Sequence, residues 1–468
     1  MYVNNSDESK NNDFLNLTKN KELDNKYNRM IETPVERLVC SLAIPTISIM
    51  LISAIYNITD TYFVGWIGTE ATAAVGVSFS LMMFIQAMGF FFGQGSGNYI
   101  SRQFGAQNWD AASIMAVTGF LSSIIAGILL MTLGLIFLEP FARFLGATEA
   151  ILPYTCDYLF YTLIGAPWMM GAVVLNNLLR FQGSAVYSMA GMISGAVLNI
   201  VLDPLLIFGF DMGVSGAALA TLISQFVSLC LLLAGCFLMG NIRINPSKFS
   251  TRTVFYKEIV RGGLPSLFRQ GFSSIATICM NHVAGGFGIA VIAAVSIVQR
   301  VTIFANYALI GFGQGFQPVC GFNYGAKRYD RVKMAFWFCV KVSAVVLLLL
   351  ATVGYIFAPH IIAVFRRDDP DVIRIGTLAL QLQCITFPLM SWVVLNNMML
   401  QTIGKAFKAS LLAIASQGLF LLPLLFILAP RLGVFGIQLS QPISNIATFI
   451  LATPLGLGVL KEMTDDKT

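Results

Sequence analysis

Charge is what this sequence has least of. Only 11% of its 468 residues are Asp, Glu, Lys or Arg, against roughly 25% in an ordinary soluble domain. A water-soluble chain of this size could not cover its surface with so few charges. Disorder is excluded for most of the length as well, because it requires low hydrophobicity and high charge. Histidine is nearly absent. His282 and His360 are the only two, and they lie far apart, which leaves no histidine-rich metal centre. The eight cysteines form no CxxC pair, so neither a zinc site nor a redox pair is indicated. Neither a GxxxxGK[ST] phosphate loop nor an HExxH motif occurs, so no ATPase module and no zinc hydrolase is expected. No catalytic constellation is visible, and the chain does not read as an enzyme. The net charge of +6 does not imply nucleic acid, because the basic residues fall in loops and termini rather than on one recognition stripe.

What is present is apolar length. Apolar residues make up 56% and the mean hydropathy is +0.75. Twelve continuous apolar runs cover approximately 37–64, 72–99, 113–138, 151–178, 186–209, 215–240, 258–284, 290–318, 334–358, 372–400, 406–430 and 434–458. Each exceeds the roughly 20 residues of a membrane-crossing helix, and none shows the ten-residue alternation of a barrel strand. Residues 1–36 form a polar tail without the apolar core of a signal peptide. The expected division is this tail, a first lobe over 37–240, a basic linker over 241–257, a second lobe over 258–458 and a tail over 459–468.

Lys and Arg in the loops set the orientation. With the N-terminus in the cytoplasm, the inner loops hold Arg102, Arg180, Arg243, Lys248, Arg252, Lys257, Arg261, Lys327, Arg328, Arg331, Lys333, Lys405 and Lys408. The outer loops hold only Arg143, Arg366, Arg367, Arg374 and Arg431. A multi-pass protein of the cell membrane with both termini cytoplasmic is expected.

The chain repeats itself at an offset of 220 residues. Ala73-Ala74-Val75 returns as Ala293-Ala294-Val295. Phe92-Gly93-Gln94-Gly95 returns as Phe312-Gly313-Gln314-Gly315. Leu175-Asn176-Asn177 returns as Leu395-Asn396-Asn397, and Gly213-Val214 as Gly433-Val434. Each half holds six spans, an even number, so both halves share one orientation. The fold expected is all-α and integral to the membrane: twelve transmembrane helices as two six-helix lobes related by a pseudo-twofold axis along the membrane normal. Two lobes around a central cleft is a transporter architecture.

A charge at membrane depth costs about 2.5–3.5 kcal/mol on insertion scales and is a functional candidate by default. Of 23 acidic residues, only Asp60 and Asp203 lie deep in apolar runs. Tyr56 and Asn57 precede Asp60 by four and three residues, and Asn199 precedes Asp203 by four, so each set shares a helix face. Pro204 removes a backbone hydrogen bond beside Asp203, and Pro45 should bend the first span about four turns before Asp60. Carboxylates, an amide and hydroxyls converging in a bundle make a sodium site or a protonation site. The bland alternative is an interfacial Asp60 and a helix-capping Asp203. Arg300, ten residues into the eighth span, fits a substrate cavity and a structural hydrogen-bonding role equally. Twenty Met and 37 Phe suit an adaptable apolar pocket, although most such residues face lipid or core; Met169, with Tyr56, Asn57 and Arg300, is a candidate for a substrate cavity.

These residues resemble the multidrug and toxic compound extrusion (MATE) family of antiporters, in its MepA-like bacterial branch, over roughly residues 35–460. The resemblance is carried by the two sixes of spans, Tyr56-Asn-Ile-Thr-Asp60-Thr61, Asn199-Ile-Val-Leu-Asp203-Pro204, Gly313-Gln-Gly-Phe-Gln-Pro318 and Gly321-Phe-Asn-Tyr-Gly-Ala-Lys327. It implies export of organic cations and drugs in exchange for protons or sodium, by alternating access. It also implies a cation site in the N-terminal lobe at Asp60, Asn176, Asn199, Asp203 and Thr221, with Pro45 at a helix bend. No cofactor is implied, and no metal beyond sodium at Asp60 and Asp203. Some family members carry acids in the seventh and tenth helices. Here Pro265–Ile275 and Gln381–Pro388 have none, so any coupling must rest on the first half. The partners expected are organic cations and membrane lipid, with the protein a monomer. The rival reading is a lipid-linked oligosaccharide flippase of the same wider superfamily, which would need a strongly cationic cavity.

Overall fold

The computed structural model describes residues 25, 27–239, 242, 244–365 and 369–465, without the side chains of residues 57, 61, 238, 239 and 465. Among these residues every regular element is a helix. The first half runs through α1 (Val35–Gly65), α2 (Thr69–Gly105), α3 (Trp109–Ile136), the short α4 (Leu138–Leu145), α5 (Leu152–Phe181), α6 (Ala185–Pro204) and α7 (Gly213–Met239). The second half repeats this as α8 (Thr253–Gly285), α9 (Ile289–Gly325), α10 (Tyr329–Ile356), the short α11 (Ala358–Phe365), α12 (Pro370–Thr402), α13 (Ala406–Ile414), α14 (Leu422–Leu432) and α15 (Val434–Asp465). A π-helical turn, Leu205–Gly209, prolongs α6, and another, Ala415–Leu421, fuses α13 to α14.

Twelve long helices therefore stand where twelve apolar runs were read. Eleven are long and apolar enough to cross a membrane. The remaining one, α8, is as long but carries Lys257, Glu258, Arg261, Arg269 and Gln270. Its polar positions face partners: Glu258 pairs with Arg102 of α2 at 2.7 Å, and Arg269 donates to Asn397 of α12 at 3.3 Å. The helix also starts at Thr253, five residues before the run that marked it. Likewise α2 and α9 continue beyond 99 and 318 to Gly105 and Gly325. Hydropathy reports where lipid ends; backbone hydrogen bonding continues past it. The eight-residue α4 and α11 lie between the apolar runs, since LEPFARFL and APHIIAVF are shorter than any span.

The 220-residue repeat reappears in the geometry. Gln107 and Lys327, counterparts in the repeat, both take the left-handed conformation, at φ 59° and 57°. Gly213, opening the sixth long helix, and Gly433, just before the twelfth, also have positive φ, at 55° and 62°, which costs glycine little. At the centre of the first lobe α5 packs on α2, α3, α6 and α7; its counterpart α12 packs on α9, α10, α13 and α15. The lobes meet along α2–α8, α1–α9 and α2–α9. Exchanging the halves turns the first pair into the second and leaves the third unchanged, as a twofold axis requires.

That interface is closed at one end only. At the end bearing both termini, a β-carbon on Gly105 would overlap the Phe322 carbonyl, and one on Gly325 the Arg102 carbonyl. Arg102 donates to the Thr402 carbonyl at 2.6 Å as well as pairing with Glu258. Thr402 donates to Asn98 at 3.0 Å, and Thr46 donates to the Gly311 carbonyl at 2.7 Å. Arg331 of α10 donates to the Thr33 carbonyl at 2.6 Å. Three turns along the same helix faces, away from the termini, Ile58 of α1, Phe304 of α9, Phe84 of α2 and Ser273 of α8 are all exposed. The lobes splay into a cleft that opens opposite the termini.

Candidate functional site

The polar group beside this cleft is assembled by tight packing of α6 on α7. A β-carbon at Gly195 would press on Ser228 and the Ser224 carbonyl, and one at Gly216 on the Leu206 backbone. Ser228 donates to the Gly191 carbonyl at 3.0 Å. These glycines let the two backbones approach, as small residues do in membrane bundles. The approach carries Asn199 and Asp203 of α6 onto Thr221 of α7. In the amide orientation that satisfies both its atoms, Asn199 Nδ2 donates to Asp203 Oδ2 at 3.0 Å. Its Oδ1 accepts from the Thr221 hydroxyl and from the Thr221 backbone N–H, both at 3.2 Å.

Asp203 is completely buried and Asp60 nearly so. Asp60 comes from α1, which packs along α6, and lies within electrostatic reach of Asp203. Its Oδ1 is buried with no hydrogen-bond partner, an arrangement that costs about 1–3 kcal/mol or more unless something satisfies the atom. Pro204, next to Asp203, has no N–H, and the π-helical turn starts immediately after it. Such turns widen a helix and recur at functional sites. Tyr56 of α1 and Tyr158 of α5 bring hydroxyls within reach of both carboxylates and Thr221. The Tyr158 hydroxyl donates to Met82 Sδ at 3.5 Å. The group thus offers two carboxylates, an amide oxygen and three hydroxyls. Hard cations take such oxygen donors, and an orphan carboxylate oxygen equally suits a proton.

The structure brings together Asp60, Tyr56, Asn199, Asp203 and Thr221. It does not bring Asn176 to them. Asn176 shares α5 with Tyr158 but lies five turns further along, roughly 27 Å at the usual rise. Its carbonyl there accepts from Ser188 at 3.2 Å, near the closed end. Met169 is also displaced from the expected role. It is buried in the packed interior of the first lobe with Leu81, Ile85, Leu159 and Leu163, because α5 is the lobe's central helix. Pro45 sits in an unbroken α1 near the closed end, next to the Thr46 bond to α9. Arg300 is exposed on the α9 face that continues to Gly311 and Gly315, both packed on α1, so it faces the cleft. The Asn57 side chain lies outside the described residues.

Tyr158 was missed by sequence reading, since a tyrosine near the start of a span reads as an interfacial anchor. Arg102 counts as an inner-loop charge in the sequence, and Glu258 opens the seventh apolar run. They are the ion pair that bridges the lobes at the closed end, and nothing in either half's sequence pairs them.

The MatE family model matches residues 45–205 and 265–427, one segment in each lobe. The chain belongs to the MatE family. The multidrug export protein MepA of Staphylococcus haemolyticus (strain JCSC1435) is 27% identical over 447 residues, covering 93% of this chain and 96% of that relative. MepA of Staphylococcus saprophyticus is 28% identical over 431 residues, covering 91% and 94%. Among solved structures, a MATE in complex with MaL6 superposes with a TM-score of 0.89 at 26% identity, over 93% of this chain and 99% of that one. An outward-facing multidrug resistance MATE transporter of the MOP superfamily superposes at 0.88, also at 26% identity, over 93% and 98%. The transporter is therefore a multi-pass membrane protein of a multidrug-export family, and not an enzyme.

Proposed function

We propose that the transporter exports amphiphilic organic cations and drugs in exchange for protons or sodium, with the coupling ion held in the first lobe. The observation that carries this reading is the buried group of Asp60, Asn199, Asp203 and Thr221 beside a cleft. Two nearby carboxylates out of water tend to hold one proton between them, and the titration then belongs to the pair. A bound cation would instead favour the doubly ionised form and compete with that proton.

Loading or unloading of this group changes the charge on α1 and α6. α1 runs from Asp60 to the lobe boundary, where Pro45 and the Thr46–Gly311 bond lie. A change in α1 is thereby felt at the seam that must part for alternating access. The positive-inside pattern supports a cytoplasmic closed end, and on that reading this is the outward-open state of a cell-membrane protein. An impermeant reagent should then reach a cysteine at Ser247 only from the cytoplasm. Labelling of that cysteine on intact cells would overturn the orientation.

The direct test is dye efflux from proteoliposomes with sodium and pH gradients imposed separately. One gradient should drive export, and Asp203→Asn should abolish the driven component. Export that ignores both gradients would remove the coupling mechanism.

A further inference from the structure

Beneath the cleft lies a second group that the coupling mechanism does not use. Arg180 is the last charged residue of α5 and is completely buried. One guanidinium nitrogen donates to Asn177 Oδ1; Nε and the other terminal nitrogen have no hydrogen-bond partner. Its guanidinium otherwise stacks 4.9 Å from the Phe181 ring. Across the lobe boundary, half-buried Arg269 of α8 donates to Asn397 at 3.3 Å and lies within electrostatic reach of Arg180. Asn177 and Asn397 are counterparts in the 220-residue repeat, so each lobe contributes one asparagine holding one arginine. The arginines themselves are not counterparts: Leu400 and Ile49 occupy the related positions.

Among the described residues neither guanidinium has a carboxylate within ion-pair distance, and Glu258, which bridges the lobes, is committed to Arg102 and Arg261. Two like charges within electrostatic reach of each other across the lobe boundary, with no ion-paired anion, disfavour its closure. Removing one charge from water unpaired is costly, and the partners in place are two neutral amides and a ring. The planar fork of a guanidinium matches an oxyanion with two parallel hydrogen bonds.

We propose that Arg180 and Arg269 form a subsite for the oxyanion of an amphiphilic substrate, so that the cleft takes molecules bearing a carboxylate or phosphate as well as an apolar body. The subsite is reached when the lobes part at the end now closed. An anion seated between the two arginines removes their repulsion and lets the seam close behind it. This rests on the export reading, because it assigns part of the substrate to the same cleft.

The experiment uses the full-length protein and a matched pair of probes: a cationic xanthene dye bearing a free carboxylate, and its methyl ester. The two differ only in the anionic group. Wild-type protein should bind the acid more tightly than the ester. Arg269→Gln should weaken the acid by about tenfold and the ester less than about twofold, and Arg180→Gln should do the same where it folds. Addition of a phosphate-bearing amphiphile should displace the acid, whereas inorganic phosphate alone should compete only weakly, since it lacks the apolar body. Equal binding of acid and ester would overturn the subsite while leaving the export reading intact. A preference for the acid that survives Arg269→Gln would also overturn it and move recognition to Arg300. Binding of neither dye would remove the export reading and the subsite with it.

Discussion

The two lobes share a backbone and differ in chemistry. In the first, Tyr56, Asp60 and Tyr158 stand near the polar pair of α6. Their counterparts 220 residues on are Ala276, Met280 and Leu378. Ala276 and Met280 are buried in an apolar cluster with Leu421 and Leu425, and the α13–α14 rod contains no acid at all. Two pairs of glycines at the lobe boundary, by contrast, are related by the repeat: Gly95 with Gly315, and Gly105 with Gly325. Symmetry is kept in these closing glycines and lost in the group of Asp60, Asn199 and Asp203. The scaffold of such a protein can remain duplicated while one copy carries the coupling chemistry.

The sharpest way to break this comparison is to neutralise the buried acids. Asp203→Asn should reduce ion-driven efflux by about a hundredfold or more, as expected for loss of a group that takes part in every cycle. Met280→Ala, at the counterpart of Asp60, should leave coupling intact and cost about 2–5 kcal/mol of stability as a core cavity. Comparable loss of coupling from both would mean that the lobes share the ion. Efflux rates and thermal unfolding of the two purified variants separate these effects.

Next come the symmetric glycines. Gly105→Ala and Gly325→Ala each set a β-carbon against a backbone carbonyl of the other lobe. Both should impair closure, and by similar amounts, with efflux reduced by about tenfold or more. A large effect from only one would show that the closed end is less symmetric in use than in form.

A smaller effect is expected at the ion pair between the lobes. Glu258→Gln removes the charge that Arg102 meets at 2.7 Å. The loss should be about 1.5–3 kcal/mol of closed-end stability, the usual worth of a hydrogen bond to a charged group. Buried Cys320, on α9 near Arg102, should then react faster with a thiol reagent from the closed end, in a variant where it is the sole cysteine. An unchanged rate would show that the glycine packing holds this end without the pair.

Much of this was legible beforehand, for definite reasons. Twelve spans follow from apolar runs that only lipid requires. The repeat follows from one offset held along the chain. Asp60, Asn199 and Asp203 are conspicuous because a carboxylate inside an apolar run has no cheap explanation, and because a spacing of four residues fixes a shared face. Depth along a helix was less legible. Asn176 was carried over by resemblance, yet it lies five turns from the site on the same helix. Met169 and Tyr158 also occupy α5, and their roles depend on which face of the lobe's central helix meets which neighbour. Arg180 looked like a loop charge because it closes an apolar run, and only tertiary packing shows it buried. The ion pair of Arg102 and Glu258 joins residues from different lobes, which no local pattern encodes.

The central claim is that a coupling ion and the drug act against each other through the acid pair of the first lobe. By linkage, each must weaken the other's equilibrium binding by the same factor. The measurement is drug affinity from about pH 5 to about pH 9, with and without sodium, for the native transporter and for Asp60→Asn. The account predicts that native affinity is lowest where proton or sodium occupies the pair, and that Asp60→Asn flattens this dependence. A native affinity independent of both pH and sodium would contradict it.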